Sequence, residues 1–151
     1  MIIAAVRDDA YNVVLVLHIL AVLAAFAPAF VHPLLGTQLE REGGAALRVP
    51  MRFMHRNEQR VYAPALVLVG VLGLALSGMS DGEYGFGDTW IWLSALLWVA
   101  LNGVLHAVLL PAEKAVAAGD DSAASRVQLG GAIMSVLGLI VVVLMIFKPG
   151  A

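Results

Sequence analysis

Residues 127–147 read VQLGGAIMSVLGLIVVVLMIF, a run without one charged side chain, held between Arg126 and Lys148. A helix rises about 1.5 Å per residue, so a run of that length covers the roughly 30 Å hydrocarbon core of a bilayer. Three more such runs lie upstream. Residues 89–112 separate Asp88 from Glu113, residues 61–80 separate Arg60 from Asp81, and residues 10–39 separate Asp9 from Glu40. A small soluble domain has no interior large enough to bury four helices that are apolar on every side. The fold class expected is an all-α, integral membrane antiparallel four-helix bundle. Its spans are placed near residues 11–35, 61–79, 89–112 and 127–147, in a single transmembrane domain with a cytoplasmic loop over residues 36–60.

Composition agrees with that reading. Of 151 residues, 61% are hydrophobic and 13% charged, whereas soluble domains run at about 45–50% and 25%. The formal net charge of −2 offers no basic field, so nucleic acid is not an expected partner. Cysteine is absent, which excludes disulfides, thiolate-bound zinc and iron–sulfur clusters. The first apolar run follows Asp8 and Asp9 rather than a basic segment and is too long for a cleaved signal, so it is expected to stay as a span.

Lysine and arginine sort between the connections. Arg41, Arg48, Arg52, Arg56 and Arg60 lie between the first two spans, with Lys114 and Arg126 between the last two. The opposite side carries Arg7 and Lys148. The excess places residues 36–60 in the cytoplasm and both termini outside, in the inner cell membrane. The connection Asp81–Asp88 is short, acidic and glycine-rich, as an outer turn would be, and Trp90 and Trp92 open the third span where indole rings favour the interface. Pro50 fits the first turn of a helix that leads into the second span. Arg52, Arg56 and Arg60 recur on one face of it, suited to anionic lipid headgroups or to the carboxylates of a ligand.

Within hydrocarbon every polar side chain needs a partner, so each is a candidate site. His18 and His32 share one face of the first span, four turns apart, while Asn102 and His106 stand one turn apart on the third. Counted from the outer end, His18 lies about 10 Å deep, and His32 and His106 about 31 and 26 Å deep. Two ligand sites follow. One is His18 alone in the outer third. The other gathers His32, His106 and His55 at the cytoplasmic third, beside the arginines, with His106 as a candidate haem-iron ligand. Asn102 is expected to bond between helices. Gly70 and Gly73 in the second span, and Gly130, Gly131 and Gly138 in the fourth, allow close helix contact. Pro28 and Pro64 are expected to kink their helices.

Several short motifs taken together carry a resemblance. They are Leu17-His18-Ile19 in the first span, the basic segment with Met54 and Arg60 leading into the second, and Trp90 and Trp92 opening the third. Gly103-x-x-His106 and the terminal Phe147-Lys148-Pro149 complete the set. The chain resembles the HemJ/CopD-like superfamily of small four-helix integral membrane proteins, including its uncharacterised relatives. The resemblance implies haem b, with His18 as the axial ligand, in electron transfer or porphyrin handling. It also places the family's facing lysine near Ser94, which cannot replace an amine, and so argues against protoporphyrinogen oxidation. Two other readings stand beside it: a non-enzymatic membrane subunit or scaffold, and a CopD-like protein that passes a small molecule or metal. The few polar groups in the spans leave room for a homo-oligomer or a larger membrane complex.

Overall fold

A computed structural model describes residues 8–42 and 44–150, with side chains for residues 8–28 and 48–150. The described residues form six α-helices: α1 (Asp9–Glu42), α2 (Gly44–Asn57), α3 (Ala63–Gly78), α4 (Thr89–Val104), α5 (Leu110–Ala118) and α6 (Ala124–Phe147). Wide π-helical turns join α2 to α3 over Glu58–Tyr62 and α4 to α5 over Leu105–Leu109. The described residues contain no strand. Among the described residues, four stretches are long and apolar enough to cross a membrane: Asp9–Pro28, Arg48–Gly78, Thr89–Ala118 and Asp121–Phe147.

These stretches are helical for the same reason that they are apolar. With side chains unable to satisfy the backbone, each N–H and C=O must bond within its own segment, and a helix does this without a neighbour. Helix α1 packs on α3 and α6, and α4 packs on α6 and α3. The four long stretches thus occupy the corners of a bundle, with successive ones side by side. Leu66, Leu101, Leu105, Leu109 and Val141 fill its centre. Large apolar side chains such as Val13, Leu23, Val71, Leu96, Leu139 and Ile146 point outward instead, the inverse of a soluble surface.

The segment between the first two spans differs from a loop. Residues up to 42 continue α1, and α2 runs without interruption through the π turn into α3. Pro50 lies inside α2 rather than at its first turn. Both π turns end two residues before a proline, Pro64 and Pro111. A proline ring collides with the carbonyl four residues back. The wide turn moves that carbonyl aside, and the bonds Ala63 N–H to Glu58 O and Leu110 N–H to Leu105 O span it.

At the end of the bundle that holds Asp9 and Phe147, the turn after α3 is fixed by side chains. Ser80, fully buried, accepts from the Tyr84 N–H at 3.0 Å and donates within the same turn. Asp88 Oδ2 accepts from the Gly85 N–H at 3.0 Å. This closure sets Tyr84 edge-on to Trp90, with ring centroids 5.7 Å apart. Lys148, in the left-handed conformation that ends α6, lays its ammonium 4.1 Å from the Tyr84 ring centroid.

Candidate functional site

Between the four long helices, at the end closed by Tyr84, lies a cavity of ≈ 400 Å³. That is the size range of small-molecule and cofactor sites, about 300–1,000 Å³. Its walls are almost wholly apolar, with Val22 and Phe26 from α1, Leu66 and Val69 from α3 and Met145 from α6 among them. The exceptions are few, and they converge. His18 enters from α1, Trp90 and Ser94 from α4, and Lys148 stands at the rim.

His18 is 8% exposed, and its Nδ1 has no hydrogen-bond partner. The Val69 backbone lies within hydrogen-bonding reach of the ring. Its place depends on Gly73. A methyl group there would stand 3.3 Å from His18 Cε1 and 3.7 Å from Nδ1, so α3 passes the imidazole closely and a side chain at that position would press on the ring. Gly70, one turn earlier, leaves its surface to the Trp98 ring. The indole Nε1 then donates to the Leu66 carbonyl at 2.7 Å.

The second unpartnered group on the cavity is the Trp90 indole, buried with Nε1 donating to nothing. A buried donor left without an acceptor costs about 1–3 kcal/mol. The cavity is therefore lined by an imidazole and an indole, each with one buried nitrogen that has no partner, and by a rim cation. Ser94 adds no free group, since its hydroxyl donates to the Trp90 carbonyl at 2.6 Å. An apolar ligand that carries acceptor oxygens at one edge, and a centre able to take an imidazole, would satisfy all three.

The other expected residues lie elsewhere. His106 is exposed in the second π turn, its Nδ1 2.9 Å from the Asn102 carbonyl one turn back, and it does not line the cavity. Asn102 bonds within its own helix, to the Trp98 carbonyl at 2.9 Å, rather than between helices. Arg52, Arg56 and Arg60 are all exposed along α2 and the first π turn, with Phe53 also exposed among them. The side chain of His32 lies outside the described residues. Trp90 is buried in the cavity wall, unlike Trp92, which remains 46% exposed as an interfacial indole would be.

Some residues were not singled out by the sequence. Trp98 reads as one more apolar residue in an apolar run. Glu58 and Glu113 stand just outside the expected spans, yet they are 3% and 0% exposed. The signal for both was a neighbouring proline, Pro64 or Pro111, which lengthens and widens the helix there rather than ending it. No family model matches the chain, and neither a curated protein nor a solved structure matches it.

Proposed function

We propose that this is a multi-pass protein of the cytoplasmic membrane that binds one haem b through His18, in electron transfer or porphyrin handling. The observation that carries the reading is the buried His18 nitrogen with no partner on the wall of an apolar cavity. Among the described residues no three of His, Asp or Glu are grouped to hold a metal ion. A bare ion needs three or four protein ligands, whereas haem iron brings nitrogen ligands of its own and needs a single proximal histidine. The likeness to the HemJ/CopD-like superfamily selects the same histidine.

The side chains present fit that group. Val22, Phe26, Leu66 and Val69 would meet the macrocycle, while the Trp90 N–H and the Lys148 ammonium would meet its carboxylates. Haem b bound there would supply a one-electron redox couple inside the bilayer. His18 would hold the iron, Gly73 leaves its ring room, and Trp98 fixes the adjoining face of α3. With the Ser94 hydroxyl committed to Trp90, the chain offers no second strong ligand from α4. No amine stands at Ser94, which keeps protoporphyrinogen oxidase chemistry out of the proposal.

The lysine and arginine excess between spans one and two and between three and four turns the Glu58 end of the bundle towards the cytoplasm. Arg52, Arg56 and Arg60, exposed beside Phe53, then contact anionic lipid headgroups, each adding about 1 kcal/mol near a charged surface.

Optical spectra of the protein purified from haem-replete cells test the reading. The expected result is a Soret band with sharp α/β bands on reduction, lost in His18→Ala and retained in His106→Ala. A colourless wild type leaves the subunit or scaffold reading and the permeation reading, and loss of the band in His106→Ala alone moves the ligand to the other end.

A further inference from the structure

The cavity lined by His18 and Trp90 is not closed equally on all sides. Most of its lining residues are buried or half-buried, but Ile19 and Leu23 on α1 are exposed, and so are Val142 and Ile146 on α6. Leu23 is 64% and Ile146 67% exposed, so these side chains border the cavity and the outside at once. The two helices run antiparallel, and Phe26 of α1 rests on Gly138 of α6, where a methyl group would overlap the ring. One turn outward from that contact come Leu23 and Val142, and a second turn brings Ile19 and Ile146. The seam between α1 and α6 is thus shut at Phe26 and opens beyond it.

The other sides are filled. Every lining residue of α4 is buried or half-buried. Leu74 is the one exposed lining residue of α3, and one turn deeper the Trp98 ring covers Gly70, held by its bond to the Leu66 carbonyl. At the end of the bundle the Tyr84 and Trp90 rings meet edge-on under the Lys148 ammonium. Tyr11, buried, lies within electrostatic reach of Tyr84 and Lys148. Entry there would separate ring and cation contacts. Outward of Phe26, by contrast, no hydrogen bond joins the described residues of α1 to those of α6. Side-chain rotations alone can part that seam, and an apolar molecule passing from hydrocarbon through it is never hydrated.

We propose that the cavity is filled from the bilayer, through the α1–α6 seam bordered by Ile19, Leu23, Val142 and Ile146, by a membrane-dissolved and largely apolar ligand. On the haem reading, whose cavity this shares and on which it rests, the porphyrin is taken from the lipid and not from water.

The test is photolabelling of the full chain, made in haem-depleted cells and held in nanodiscs. One sample receives a phenyl diazirine dissolved in the lipid, the other a charged, water-soluble diazirine, and adducts are mapped by mass spectrometry. Leu66 and Val69 line the cavity and are buried, whereas Leu96 and Leu139 face outward, do not line it and serve as references. The lipid-borne reagent should label Leu66 or Val69 to within several-fold of the references, and the water-soluble one should label neither. Leu23→Trp/Val142→Trp fills the seam from exposed positions, and should cut labelling of the cavity wall several-fold while leaving the references unchanged. An unlabelled wall beside labelled references in the wild type overturns the route, and needs no variant to fold. Labelling of the wall by the water-soluble reagent, or labelling undiminished by the two tryptophans, also overturns it. None of these readouts involves haem. A colourless chain with a labelled wall keeps the seam and loses the haem reading, and a Soret band with an unlabelled wall does the reverse.

Discussion

At Gly73 the His18 imidazole fills space that any other residue would claim. The 3.3 Å between a methyl group there and His18 Cε1 is closer than carbon atoms normally pack, so the ring or α3 must give way. Overpacking of this kind typically costs about 1–3 kcal/mol. Gly73→Ala is expected to be less stable than Gly131→Ala in thermal unfolding, and to weaken or shift the Soret band by displacing the proposed ligand. Gly131→Ala is the control, because nothing lies within 4 Å of the added group. It should leave both measurements unchanged or stabilise the helix by up to about 1 kcal/mol. Equal losses in the two variants would show that His18 has no special claim on the space at Gly73. The histidine itself was visible in the sequence as the lone imidazole of the outer third. The glycine that admits it was visible only as a small residue in an apolar run, since its neighbour comes from another helix.

Among the elements, the π turns matter most. Pro64 and Pro111 sit inside continuous helical stretches, where a proline ordinarily costs about 3 kcal/mol or more. Here the wide turns Glu58–Tyr62 and Leu105–Leu109 move the clashing carbonyls away, so most of that cost is already relieved. Replacing either proline by alanine should therefore gain much less than about 3 kcal/mol in denaturant unfolding, and the helix register beyond it should hold. A gain of the full amount would mean that the prolines strain the helices despite the π turns. Pro64 was legible as a place of disturbed helix geometry, whereas Pro111 was not singled out. The outcome at Pro64 was not legible, because a kink, a break and a wide turn all answer the same steric demand. The choice is set by how α5 packs on α2 and α6. That choice also accounts for the buried glutamates: continuing α4 through a π turn into α5 carries Glu113 into the interior instead of leaving it in a loop.

For the molecule as a whole, the proposed orientation in the membrane rests on charge. Cysteine introduced at Gly85→Cys should react with an impermeant thiol reagent from outside intact cells, and at Ala45→Cys only after the membrane is opened. The opposite pattern would invert the bundle and put the His18 cavity at the cytoplasmic face. The number and rough position of the spans were written in the sequence alone. Uncharged runs of 20 residues and more are a local property, and an isolated helix satisfies its own backbone in hydrocarbon without help from its neighbours. What those helices do for one another was not local. His18, Gly73, Trp90 and Lys148 come from three different spans and the end of a fourth, and only packing brings them to one cavity. Glu58 and Glu113 meet because α2 lies against α5, a pairing that no run or spacing along the chain encodes. Length and hydrophobicity fixed how many times the chain can cross a membrane. Tertiary packing decided which polar groups are left buried inside it, because burial depends on the neighbour a helix meets rather than on the helix itself.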